Sequence, residues 1–166
     1  MADSLPWYVL DTHALIDFDR GALLDALFAL PLTFVAPDVL IEELVVPDGR
    51  QLVDRGLGCV TLTGAEVIEV MDLAERHRAP SINDLFALVL PRAMEFTLLT
   101  GDRALRQIAA SEGVTVHGTL WLLDEGVRLA VITPARAVEG LECMLPLASR
   151  LPEVECQARM QRWKSL

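Results

Sequence analysis

Trp7-Tyr-Val-Leu-Asp11-Thr-His-Ala-Leu-Ile-Asp17 is the stretch on which the reading of this chain turns. The apolar run from Trp7 to Leu10 stops at Asp11, and beyond Thr12 the spacing of Ala14, Leu15 and Phe18 suits one face of a helix. The pattern is that of a buried strand whose carboxyl end delivers a carboxylate to a strand-to-helix turn. In open α/β sheets ligands bind outside the carboxyl ends of the strands. The other acids therefore matter according to whether they converge on Asp11.

Outward from this stretch, strand and helix patterns alternate. Residues 32–36 have strand composition, and Pro37-Asp38 opens a helix carrying the pair Glu42-Glu43. Residues 59–62 read as a third strand, and 66–77 have helical apolar spacing. Ser81-Ile-Asn-Asp84 begins a helix over 85–96, in which Pro91 predicts a kink or break. Residues 96–100 form a fourth strand ending at Gly101-Asp102, residues 103–111 a helix, and 114–116 a fifth strand. From Gly118 onward only helices are expected, over 119–126, 134–145 and 152–163. Alternation of this kind predicts a three-layer α/β/α domain with a mostly parallel, roughly five-stranded sheet and C-terminal helices.

At 166 residues, 52% hydrophobic and 23% charged, the chain has the length and composition of one folded domain. No apolar run is long enough for a membrane span. Cys59, Cys143 and Cys156 are odd in number and have no Cys-x-x-Cys spacing, which points away from disulfides and zinc and toward a cytoplasmic setting. The formal net charge of -10 excludes a protein that grips nucleic acid by bulk attraction. A local contact bridged by a cation remains open, since a divalent ion inverts the sign of an acidic cleft.

Asp11 and Asp102 each follow a strand and precede a helix. Glu42 and Glu43 lie one turn into a helix, and Asp84 lies in a first turn. Singly, each has an ordinary explanation, because acids at helix starts cap free N–H groups and meet the positive end of the dipole. Ser81-x-x-Asp84 is close to a capping box. As a set they are harder to dismiss, since like charges about 4 Å apart repel by roughly 4 kcal/mol at an effective dielectric near 20. A cluster of that kind persists by binding a hard cation or a proton. Oxygen-only ligands suit Mg²⁺ or Mn²⁺ better than Zn²⁺.

The ordered motifs Val-Leu-Asp11-Thr-His-Ala-Leu-Ile, Ala-Pro37-Asp-Val-Leu-Ile-Glu-Glu43-Leu, Ser81-Ile-Asn-Asp84-Leu and Leu-Leu-Thr100-Gly-Asp102 resemble the PIN domain. The likeness is strongest to the small prokaryotic PIN proteins that include VapC-type toxins. Gly113-Val-Thr-Val-His-Gly118-Thr-Leu-Trp-Leu-Leu resembles the segment after the last acid in one branch of that family. The resemblance spans about Tyr8 to Ile132.

It implies a Mg²⁺- or Mn²⁺-dependent endoribonuclease with Asp11, Glu43, Asp84 and Asp102 as the catalytic acids. Asp11, Asp84 and Asp102 would ligate the metal, with Thr12, Ser81 and Thr100 in support. Glu43 matches the family's acid better than Glu42 because it stands directly before Leu44; one helical residue turns a side chain by about 100°. His13 stands where many members carry Asn. Arg103 and Arg106 are candidate phosphate contacts, though a solvated helix face is their plainer reading. The implied partners are an RNA substrate and an antitoxin protein, with no membrane; the apolar residues Leu141, Met144, Leu145, Leu147 and Leu151, outside the resemblance, predict packing on the domain or a face for a homodimer or higher homo-oligomer. The expected organisation is a nuclease domain over 1–133 and a helical extension over 134–166 packed on it.

The alternatives fit less well. A non-catalytic PIN scaffold for protein contacts agrees with the acidic charge but leaves the acidic set unexplained. A dehalogenase-type phosphatase requires an Asp where His13 stands, and a receiver domain requires a Lys near His117. Phosphate-cradling glycine loops and a nucleophile elbow are absent from the sequence.

Overall fold

The computed structural model describes residues 6–146 and 151–166; Leu147, which the sequence marks as part of an apolar C-terminal stretch, lies outside them. Strands β1 (Trp7–Leu10), β2 (Thr33–Pro37), β3 (Gly58–Val60), β4 (Thr97–Leu99) and β5 (Val116–His117) form one sheet in the order β3-β2-β1-β4-β5. Every pairing is parallel. Side chains alternate across a sheet with period two, and each face here is buried. Val9, Val35 and Leu98 enter one apolar cluster, while Leu10, Phe34, Ala36 and Leu99 enter the other. Near-continuous apolar strands are what a parallel sheet covered on both sides requires.

One layer is built from α1 (Thr12–Arg20), α2 (Leu24–Ala29), α8 (Thr119–Arg128), α9 (Pro134–Met144) and α10 (Glu153–Lys164). The opposite layer contains α5 (Gly64–Arg76), α6 (Ile82–Met94) and α7 (Arg103–Ser111). Short helices α3 (Asp38–Glu43) and α4 (Gly49–Asp54) follow β2. The chain moves outward from β1 to β2 and β3, then returns to the other side of β1 for β4 and β5. The strand order therefore reverses between β1 and β4, and that switch point is where such sheets bind ligands.

Three local expectations are corrected. Strand β5 is Val116–His117 rather than 114–116. Val114 instead closes α7, its N–H donating to the Ala109 carbonyl at 2.9 Å, with its side chain in the core. Helix α6 starts at Ile82, earlier than 85, because Ser81 caps it. It also continues through Pro91 to Met94. A proline inside a helix costs about 3 kcal/mol, and the burial of Leu85, Leu88, Val89 and Leu90 along the same helix offsets it.

Helices α9 and α10 share the apolar cluster of α1 and α8: Leu141, Met144, Cys156 and Trp163 are buried with Leu15, Phe18 and Leu123. Helix α9 meets the α1–α2 turn closely, since a Cβ at Gly140 would stand 2.3 Å from a methyl carbon of Leu23. Arg136 reaches back to the same turn and donates to the carbonyls of Gly21 and Ala22 at 3.1 and 2.8 Å. Among the described residues, no helix is long and apolar enough to cross a membrane.

Candidate active site

Strands β1 and β4 are neighbours with Leu10 opposite Leu99, so the residues that follow them emerge side by side at the carboxyl edge. Asp11 is the N-cap of α1 and Asp102 the N-cap of α7. Asp11 is 1% exposed. Its Oδ1 accepts from the Ala14 N–H at 2.8 Å, and its Oδ2 accepts from the Thr100 hydroxyl and lies 3.2 Å from His13 Nδ1. Thr100 Oγ1 in turn accepts from the Asp102 N–H at 3.0 Å. One buried hydroxyl thus ties the two strand ends together. The Asp102 carboxylate accepts from the Leu105 N–H at 2.9 Å.

A second group lies across the edge. Ser81 and Asp84 form a reciprocal capping box at the start of α6: Ser81 N–H donates to Asp84 Oδ2 at 2.8 Å, and Asp84 N–H donates to Ser81 Oγ at 3.1 Å. Asn83 donates its side-chain amide to Glu43 Oε2, which brings the end of α3 to the start of α6. Glu42 lies near Cys59 instead, whose thiol is pushed up by burial first and then by the charges of Asp38 and Glu42. Of the adjacent pair, Glu43 is the one that joins α6.

Asp11 and Asp102 are thus linked through Thr100, while Glu43 is bonded to Asn83 and Asp84 to Ser81, both at the start of α6. Ordinary capping accounts for the local geometry of Asp11, Asp84 and Asp102. Among the described residues no three His, Cys, Asp or Glu side chains stand in a group able to hold a metal ion. The donors are nevertheless carboxylate and hydroxyl oxygens, the kind a hard cation takes. Ser81 and Thr100 each bond to an acid, whereas the Thr12 hydroxyl makes no hydrogen bond among the described residues. Arg103 and Arg106 lie on the exposed side of α7, beside a cleft next to Gly101.

Asp17 is a further buried acid that the strand-end pattern did not single out. It is 6% exposed, and its Oδ2 accepts from the buried Thr119 hydroxyl at 2.9 Å. A Cβ on Gly101 would stand 3.4 Å from the same oxygen. Burial first, and repulsion from Asp11 among the smaller causes, pushes its carboxyl up from the ordinary range. The sequence held one signal: Asp17 falls three residues after Ala14, on the apolar face of α1, where a solvated acid does not belong.

His117 stacks on Trp121 with ring centroids 4.2 Å apart and planes 10° apart. The basic C-terminal residues are engaged in the fold. Arg159 and Arg162 both bind Asp124, the former at 2.8 Å, and Lys164 lies 3.6 Å from Glu142.

A sequence model of the PIN domain matches residues 7–165, and so covers the C-terminal helices beyond the four acidic motifs. Among solved structures, a PilT N-terminus domain protein from the hyperthermophilic archaeon Sulfolobus solfataricus P2 is similar in fold. The TM-score is 0.50 at 16% identity, over 73% of this chain and 93% of that one. No curated protein matches the sequence. With the acids at the switch point of an all-parallel sheet and the family match running almost end to end, the chain belongs to the PIN-domain family, whose fold is a nuclease fold.

Proposed function

We propose that this protein is a Mg²⁺- or Mn²⁺-dependent endoribonuclease that hydrolyses RNA phosphodiester bonds, and that it serves as the toxin of a toxin–antitoxin pair. The observation that carries the nuclease reading is the Thr100 bridge, which holds Asp11 and Asp102 at the ends of adjacent strands. A capping role needs no such link, since each acid caps its own helix without the other.

Asp11, Asp84 and Asp102 would hold the cation. Bound there, it would lower the pKa of a water and offset charge on the attacked phosphate. The chain itself supplies orientation. Thr100 and the Ala14 N–H fix the Asp11 carboxylate in one rotamer, and the capping box fixes Asp84. Asn83 holds Glu43 at the start of α6, and there its carboxylate would take a proton from a water. His13 adds a third polar contact to Asp11, and its 3.2 Å bond restrains that side chain further.

An antitoxin peptide, which rests on family resemblance, and a second copy of the chain, which rests on the apolar C-terminal stretch, are part of this proposal. Cleavage of a mixed RNA pool with Mn²⁺, beside Asp11→Asn and EDTA controls, tests the enzyme. Cleavage lost in both controls is the expected result. An inactive wild type that also takes up no Mn²⁺ by calorimetry would transfer the assignment to a non-catalytic scaffold.

A further inference from the structure

Past Asp102 the sheet edge changes from acid to base. A cleft of about 460 Å³ opens between the start of α7, the β5–α8 turn and α10, lined in part by Arg103, Arg106, His117, Gly118 and Trp121. Pockets for small ligands run to roughly 300–1,000 Å³. Arg55, Arg76, Arg92, Arg128, Arg136 and Arg162 all pair with carboxylates. Among the described residues Arg103 and Arg106 pair with none. Two unneutralised guanidiniums at one cleft, in a chain of net charge -10, form a local anion site.

The glycine of the β5–α8 turn makes room for one of them. A Cβ at Gly118 would meet Arg106 Nη1 at 2.5 Å, so the guanidinium lies against bare backbone. Beside it, the stack of His117 on Trp121 forms a rigid ring platform, and Tyr8 supports the indole at 5.5 Å. Burial, and then Arg106, holds the His117 imidazole below its ordinary range. At neutral pH it therefore offers one N–H donor and one acceptor. Glu155 on the α10 wall lies 3.6 Å from Arg159, which limits its repulsion of an incoming anion.

Phosphate is recognised by forked guanidiniums, and unpaired bases by aromatic or arginine planes and by polar ring edges. We propose that this cleft binds one nucleotide of single-stranded RNA beside the scissile phosphodiester, with Arg103 and Arg106 on phosphate and the His117–Trp121 pair against base or ribose. The assignment rests on the ribonuclease reading above and deepens it. A single strand fits because a recessed cleft admits an unstacked nucleotide, whereas a duplex keeps its bases paired and out of reach. An acidic peptide would use the guanidiniums but leave the stacked rings without a partner. The segment Gly118-Thr119-Leu-Trp121 thereby gains a role: it walls the cleft on one side and, through Thr119, anchors to Asp17 on the other.

The test uses the full chain in EDTA and a fluorescein-labelled single-stranded RNA of about ten nucleotides, within the usual range of single-strand sites. Anisotropy is read for wild type, Arg103→Ala/Arg106→Ala and Gly118→Ala. Backbone φ at Gly118 is -122°, which any residue adopts, so alanine there displaces Arg106 without straining the chain. Both variants are expected to bind about tenfold or more weakly with unchanged unfolding midpoints, and the double variant to lose about one unit of salt slope per arginine. AMP should displace the RNA better than inorganic phosphate or an acidic peptide does. Wild-type binding and Mn²⁺-dependent cleavage by the double variant would overturn the cleft assignment alone. Equal displacement by inorganic phosphate or by the peptide would also overturn it. Arginine-dependent RNA binding by a wild type that does not cleave would uphold the cleft and overturn the ribonuclease reading.

Discussion

Thr100 and Asp11, 89 positions apart in the chain, are joined by a buried hydrogen bond in which the hydroxyl donates to the carboxylate. The same hydroxyl oxygen accepts from the Asp102 N–H. Thr100→Val keeps the shape of the side chain, removes one of the two contacts to Asp11 Oδ2 and leaves the Asp102 N–H without its acceptor. Unpaired buried groups cost about 1–3 kcal/mol. Urea denaturation should show a loss of that size, and cleavage should fall further than stability does, because both acids lose their common anchor. A variant with wild-type stability and activity would deny the bridge any role.

Asp17 sets a pH dependence. Its carboxyl is pushed up, chiefly by burial, so the native state holds a proton that the unfolded chain has released. The stability this contributes is complete below the ordinary carboxylate range and is lost as pH rises through the elevated value. Asp17→Asn removes the titration while keeping an oxygen to accept from Thr119. Denaturation midpoints measured from pH 4 to pH 8 should fall with pH more steeply for wild type than for the variant. Parallel curves would contradict this account.

At the start of α6, capping and ligation can be separated by substitution. Ser81→Ala removes the hydroxyl that accepts from Asp84 N–H and should cost about 1 kcal/mol of stability. Asp84→Asn keeps an oxygen for the Ser81 N–H, so its folding should change little, while Mn²⁺ uptake measured by calorimetry should drop at least tenfold on the proposed reading. Unchanged uptake would reduce Asp84 to a cap.

Removal of residues beyond Thr133 tests how far the core depends on its last two helices. Leu141, Met144, Cys156 and Trp163 are buried against α1 and α8. Each large apolar side chain loses roughly 1.5–3 kcal/mol of burial on truncation, a total comparable to the whole stability of a small domain. The shortened chain should bind a hydrophobic dye and lose its cooperative thermal transition. A soluble, cooperatively folding fragment would show that α1 and α8 suffice.

Much of this architecture was legible in the residues alone. The run Trp7–Leu10 and the apolar residues before Thr100 are continuous because a parallel strand buries both faces. Strand ends and caps are local properties that mark Asp11, Asp84 and Asp102, whereas the full set with Glu43, Thr12, Ser81 and Thr100 comes from the resemblance to the PIN domain. Boundaries were harder where two local signals competed. Pro91 favours a kink or break by local chemistry, yet α6 runs on through it without a break, and Val114 has strand propensity but closes α7.

Only the tertiary structure decided which groups meet. Sequence spacing places Asp11 and Asp102 on the same edge, but the shared Thr100 hydroxyl depends on the register of Leu10 against Leu99. The choice of Glu43 over Glu42 had rested on a neighbouring leucine; the rotation of α3 toward Asn83 gives it a contact. Asp17 and Thr119, 102 positions apart, pair because the start of α8 packs against the second half of α1, a contact that no periodicity along either helix contains. The cleft between Arg106, Gly118 and Trp121 is likewise a product of packing. Local pattern follows from backbone period and side-chain solubility, whereas convergence of distant polar groups requires the sheet order to be known.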